Sequence, residues 1–400
     1  MDVKESNKVI LLLGLAGFMV IADNWVLSPL LPTMAESLHV EVPTAGLLIT
    51  AYMIPFGIFQ IIYGPLADRY GKKQVITFSM VMFTLTTGLC ALGTGFASVA
   101  FFRALTGIFA ASVMPISFAL IGDIFPMQQR QKAIGIFMGI AFLGQGFSMA
   151  LGGTIAYFSN WQGVFVVYAL MSLIPTALLL AHYRRLPSEK NRDARILAPY
   201  LSLFGNPESL FTYIIIALES AFIIGSFSYC GSFLAETFQF NSLKIGLVMT
   251  GFGVMSVIGG RVSGKLATSL GARKVLSLGL FCAAAADIVI WAAGTNLMAF
   301  AVAIALMGLG FILTHSTLVT RATGFAPKSR GAAMSLVAFC FMGSGGVGTA
   351  IGKKIIEANG STSLFLIYGI GLLGTLLVST LLIRDASAES VCIIESLEEA

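Results

Sequence analysis

Charge is what this chain of 400 residues has least of: Asp, Glu, Lys and Arg together make up 11%, against about 25% in an ordinary soluble domain. With 57% hydrophobic residues and a mean hydropathy of +0.89, a water-soluble fold is excluded. A single soluble core stops growing near roughly 250–300 residues, so a chain this long and apolar needs lipid as its outer solvent. The five cysteines, Cys90, Cys230, Cys282, Cys340 and Cys392, form no CxxC pair, which argues against both a disulfide framework and a metal site. No nucleotide loop, metal cluster or nucleophile motif is present, so an enzyme is not expected. The net charge of +5 sits in short clusters between apolar runs, which is a topological pattern and not a nucleic-acid surface.

What the chain does have is apolar runs. Crossing a hydrocarbon core takes about 20 residues of helix, and polar or Gly/Pro breaks divide the chain into twelve such segments. These are 9–34, 44–67, 75–94, 97–123, 133–157, 162–183, 209–234, 243–267, 275–294, 297–323, 331–356 and 362–383. The first run lacks an early small-residue cleavage site and reads as a helix that stays. Basic residues crowd alternate connections: Arg69, Lys72 and Lys73; Arg130 and Lys132; Arg184 to Arg195; Lys265, Arg273 and Lys274; Arg321, Lys328 and Arg330. By the positive-inside rule both termini are expected to be cytoplasmic in a multi-pass protein of the cell (inner) membrane. Lys353 and Lys354, at the outer end of the eleventh segment, are exceptions that snorkelling would accommodate. The expected domains are a six-helix bundle over 1–183, a cytoplasmic linker over 184–207, a second bundle over 208–385 and a cytoplasmic tail over 386–400.

The second bundle repeats the first. Gly64-Pro-Leu-Ala-Asp68-Arg69-Tyr-Gly71-Lys72-Lys73 recurs as Gly264-Lys-Leu-Ala-Thr268-Ser269-Leu-Gly271-Ala-Arg273, an offset of 200 residues. At the same offset Arg130 matches Arg330, Ala133 matches Ala333 and Gly152 matches Gly352. A register shared across two loops and a helix indicates duplication of one unit. Over essentially its whole length the chain resembles the major facilitator superfamily, whose signature between the second and third helices, G-x-L-a-D-R-x-G-r-k, Gly64 to Lys73 fits. The resemblance implies an all-α membrane protein with twelve transmembrane helices in two pseudo-symmetric six-helix bundles that rock about a central site. It also implies a conformational latch of Gly64, Asp68, Arg69, Gly71 and Lys72, with Asp123 as acidic partner. Such contacts would hold the cytoplasmic side closed and break on switching; the alternative is that these charges only set topology.

Ionisable groups deep in a bilayer cost about 2.5–3.5 kcal/mol each and so point to function. Five fall inside segments: Asp23, Arg103, Glu219, Asp287 and His315. Asp23 and Arg103 lie in the outer halves of the first and fourth segments, at depths about 6 Å apart by helix rise, within reach of an arginine. Arg103-Ala-Leu-Thr-Gly107 looks like the family's fourth-helix motif associated with proton coupling. A substrate that displaced the arginine would change whether Asp23 holds a proton; the alternative is a static pair that orders the bundle. Glu219, midway along the seventh segment, could bind a cationic substrate, carry a proton or serve packing alone. Asp287 reads as a neutral acid bonded to a neighbouring helix, because Arg261 lies about 11 Å away in depth. His315 reads as a hydrogen-bonded packing residue.

Glycines crowd the fifth segment (Gly135, Gly139, Gly144, Gly146, Gly152, Gly153) and the eleventh (Gly343, Gly345, Gly346, Gly348, Gly352), which suits a close interface between halves. The family's drug/proton antiporters end the fifth helix in G-x-x-x-G-P-x-x-G-G; here Ser148 and Met149 replace the Gly-Pro pair. Candidate substrate contacts are Asn24, Trp25, Tyr52, Gln60, Gln145, Phe222, Tyr229 and Phe233, although such aromatics also suit lipid-facing positions. The expected activity is proton-coupled export of small apolar, amphipathic or cationic organic molecules. The proton gradient would be the energy source and no cofactor is needed. The expected partners are a small-molecule substrate, protons and the bilayer, with no nucleic acid, and the chain acts as a monomer. Alternatives are a proton symporter that imports a metabolite and a lipid or lipid-linked sugar flippase.

Overall fold

A backbone inside lipid must satisfy its own hydrogen bonds, which leaves helices as the way to use long apolar runs. The computed structural model describes residues 3–187, 200, 203, 205–325 and 330–383, and every regular element among them is helical. Among the described residues, twelve helices are long and apolar enough to cross a membrane: Asn7–Ser37, Val42–Tyr70, Lys72–Ala91, Phe96–Ile124, Ala133–Phe158, Trp161–His182, Pro207–Phe238, Ser242–Leu270, Ala272–Ala293, Leu297–Gly324, Gly331–Asn359 and Ser361–Leu382. They are called the first to twelfth spans below. The tail over 386–400 and most of the linker lie outside the described residues, as do Lys328 and the side chains of Lys132 and Arg330.

Local chemistry sets the ends. Asparagine side chains accept from the first free N–H groups of four spans: Asn160 at the sixth, Asn206 at the seventh, Asn241 at the eighth and Asn296 at the tenth, the usual N-cap arrangement. Among the described residues three spans are interrupted, the second only briefly at Gly46; the other two are the first and the fourth. The first changes from α-helix to a short 3-10 turn at Ser28–Leu30 around Pro29 before resuming at Leu31. The fourth breaks between Ala110 and Val113; Pro115 has no N–H to offer Ala111, four residues back, and the helix cannot run straight through.

The duplication is visible in single contacts. Gly71 and Gly271 both have positive φ, 105° and 88°, at the turns that end the second and eighth spans. Tyr168 donates to Ser148 O at 3.1 Å, and Tyr368, at the same offset, donates to Gly348 O at 2.6 Å. A Cβ on Gly107 would meet Tyr52 O, and one on Gly308 would meet Phe252 O. The two bundles therefore share helix-to-helix geometry as well as sequence. Large apolar side chains such as Phe78, Phe101, Phe147, Leu170, Phe281 and Leu377 face outward, forming the lipid-facing surface. Arg69, Lys72, Lys73, Arg130, Lys265, Arg273, Lys274 and Arg321 gather at one end of the bundle, called the basic end here.

Candidate functional site

The spans of the two halves meet closely at the end away from the basic residues. There Ser28 Oγ lies 2.9 Å from both Phe227 O and Ser228 O, and Thr50 donates to Gly346 O at 2.9 Å. The fifth and eighth spans touch backbone to backbone, since a Cβ on Gly153 would meet Ser242 O and one on Gly246 would meet Met149 O. Nearer the basic end the same two spans diverge: Gly135 and Gly139 are exposed, and a Cβ on either would meet nothing within 4 Å. Between the halves lies a cavity of about 800 Å³. It is shut at one end by glycine contacts and opens toward the basic end.

Its floor is aromatic. Trp25 packs against Phe227 and Phe252, each at 5.2 Å between ring centroids, and against Phe311 at 5.9 Å. Asn24, Gln60 and Gln145 add amide groups, and the wall includes Phe56, Phe118, Phe142 and Phe341. Four of the expected substrate contacts, Asn24, Trp25, Gln60 and Gln145, line this chamber. Four do not. Tyr52 is buried beneath Arg103 and donates to Val20 O at 3.3 Å. Phe222 turns toward the twelfth span, its ring 5.7 Å from that of Tyr368. Phe233 packs between Phe300 and Phe365 inside its own half. Tyr229 sits at the closed end, its hydroxyl 2.9 Å from Thr349 O and 3.3 Å from Pro43 O. The physical reason is rotation: an aromatic ring suits a helix–helix seam as well as a pocket, and spacing alone does not fix which face turns inward.

Asp23 and Arg103 do meet, Oδ2 to Nη1 at 2.6 Å, with both side chains at 0% exposure. The guanidinium lies over the Tyr52 ring, 4.3 Å from its centroid, and 5.7 Å from that of Phe165. Neither partner lines the cavity; the pair is sealed behind Asn24 and Trp25.

Glu219 also has a partner that helix depth did not reveal. His315 Nδ1 lies 3.5 Å from Glu219 Oε2, a close approach too loose to count as a hydrogen bond. The imidazole lies between the rings of Phe311 and Phe341, at 5.3 Å and 4.5 Å. It lines the cavity, whereas Glu219 is wholly buried behind it. His315 therefore separates the acid from the chamber, instead of serving only as packing. Asp287 is wholly buried in the second half, its Cβ facing Gly369 and its carboxyl beside Ser226 of the seventh span. Arg261 lines the cavity instead of pairing with it. No carboxylate belongs to the described lining, so the wall has no acid to attract the cations considered from sequence.

Of the expected latch, Lys72 Nζ and Asp123 Oδ2 are 2.6 Å apart. The pair joins the third and fourth spans, both in the first half, and is intact while the basic end is open. A contact within one bundle does not join the two bundles, and this one is made with the basic end open. Arg69 is exposed beside Tyr70, with 5.8 Å from guanidinium to ring centroid. Asp68 is part-buried at the same turn, Gly64 lies near the Tyr200 hydroxyl, and Gly71 supplies the positive φ that turns the chain into the third span.

Compared with known proteins, residues 13–231 and 209–396 each match the family described as Major Facilitator Superfamily. The chain is 28% identical to the "Uncharacterized MFS-type transporter YceJ" of Bacillus subtilis, over 85% of this chain and 87% of that one. It is 26% identical to the quinolone resistance protein NorA of Staphylococcus aureus, over 63% and 65% of the two chains. Among solved structures, a POT family transporter in complex with 5-aminolevulinic acid has a TM-score of 0.79 at 13% identity, covering 94% of this chain and 97% of that one. The structural likeness carries the fold alone.

Proposed function

Because the chain belongs to the major facilitator superfamily, we propose that it is a proton-coupled exporter of small amphipathic organic molecules that works by alternating access. The observation that carries this reading is the chamber of about 800 Å³ between the halves, open at the basic end and shut at the other by glycine contacts. With both termini and the basic end in the cytoplasm, as the positive-inside rule requires, the chamber stands open to the compartment from which an exporter loads. The closed end is held by small residues and a few hydroxyls, Tyr229 of the second half reaching Pro43 O of the first. It can part as the halves rock, while the open faces of Gly135 and Gly139 receive the opposite bundle. The resemblance to a quinolone resistance protein supports export.

Two acids supply the coupling. A proton entering from the opposite side can reach Glu219 when that side opens. His315 then takes it from the Glu219 Oε2 side at Nδ1 and releases it to the chamber from its other ring nitrogen. Asp23 is sealed with Arg103, so its exchange requires the rearrangement that opens the other end. The family acts by transport and not by catalysis, and the proton gradient is the only energy source this reading needs.

The test uses everted membrane vesicles with an acidified interior. Addition of a transported compound is expected to release protons from the lumen, and Glu219→Gln, with the protein shown folded, is expected to abolish that release. Proton entry together with solute, in either vesicle orientation, would reverse the assignment to import.

A further inference from the structure

The charge in the chamber wall is of one sign. Four other arginines have partners: Arg103 with Asp23, Arg321 with Glu208 at 3.0 Å, Arg130 with Gly122 O at 2.7 Å, and Arg273 with Thr380 O. Arg261 lines the cavity, is exposed to it, and has no acidic partner among the described residues. It lies nine residues from Leu270 at the basic end of the eighth span and nine from Phe252, which packs behind Trp25, about 14 Å from each by helix rise. An ionised side chain so far inside a membrane protein, unpaired, is a functional group by default. Side chains lean toward the N-terminus of their helix, which for the eighth span is the floor side.

We propose that the chamber takes an organic anion: a monocarboxylate with a flat aromatic body, its carboxylate held by Arg261 and its ring laid on Trp25 and Phe311. Guanidinium is a planar fork that matches a carboxylate in two parallel hydrogen bonds and stays charged at any working pH. Asn24, Gln60 and Gln145 can serve neutral polar substituents, while the lining has no acid to repel the anion or to hold a cation. The proposal rests on reading the chamber as the transport path, and it replaces the broad amphipathic class with one charge.

The test compares three probes with the same ring on the full chain in lipid nanodiscs: naphthoate, naphthamide and naphthylmethylammonium. Naphthoate is expected to bind about tenfold tighter than the other two, the scale of one charge-assisted contact. Arg261→Gln should remove that advantage while leaving naphthamide within about twofold, and Arg261→Lys should keep part of it. Equal binding of all three, tighter binding of the ammonium, or an Arg261→Gln variant that weakens naphthamide as much as naphthoate would overturn the assignment. The comparison on the unaltered protein stands even if a variant does not fold. Proteoliposome flux separates the two readings. Movement of the ammonium without the carboxylate defeats the anion assignment and leaves a transporter. Selective naphthoate binding with no movement of any probe defeats the transporter reading and leaves an anion site.

Discussion

Arg103 and Asp23 sit 2.6 Å apart with no exposed surface, so removing either leaves its partner buried and charged. Arg103→Ala is expected to destabilise the protein by about 3–5 kcal/mol, and Asp23→Asn/Arg103→Ala by clearly less; thermal unfolding of the purified variants measures both. Gly271 gives the opposite kind of test. A Cβ there would meet nothing within 4 Å, yet its φ of 88° and ψ of 146° belong to a region that is essentially glycine-only. Gly271→Ala should therefore cost about 1–3 kcal/mol in the same assay through backbone strain alone. At this scale the sequence was uneven. The Asp23–Arg103 pairing was legible because helix rise fixes depth and both residues lie in spans that pack together. The Glu219–His315 contact was not, since two residues 96 positions apart (315 minus 219) meet only through rotations that rise does not specify.

At the scale of the helix, the crossing of the fifth and eighth spans governs access. Gly246 packs against the backbone of Met149, so Gly246→Val would have to push the spans apart at the closed end. The expected outcome is a population shift away from the basic-end-open form, read as a longer distance between spin labels placed near Phe158 and Asn241. The glycine-rich runs announced a close interface, and the twelve spans with their approximate ends were readable from hydropathy. Helix facing was less so. Phe222 and Phe233 were assigned to the chamber because their span faces it, yet both point into seams of their own bundle. The interruptions at Pro29 and ahead of Pro115 had local causes that composition contained but average hydropathy smooths away.

For the whole molecule, the 200-residue offset made the architecture legible before any coordinates, and Gly71 with Gly271 and Tyr168 with Tyr368 give it geometric form. Which end is open could not be read, because the repeat is equally compatible with either state. Orientation and state can be checked together in a background without native cysteines. Gly135→Cys and Gly139→Cys should react with a membrane-impermeant thiol reagent in everted vesicles and stay unmodified in right-side-out ones; the reverse pattern would invert the topology. The solitary guanidinium of Arg261 has an electrical consequence as well. When the empty carrier reorients, that cation samples the membrane field, worth about 2.3 kcal/mol per charge for each 100 mV crossed. A bound carboxylate cancels it, so voltage should act with different strength on the return without substrate and on the loaded step, making the carrier's turnover an asymmetric response to membrane potential.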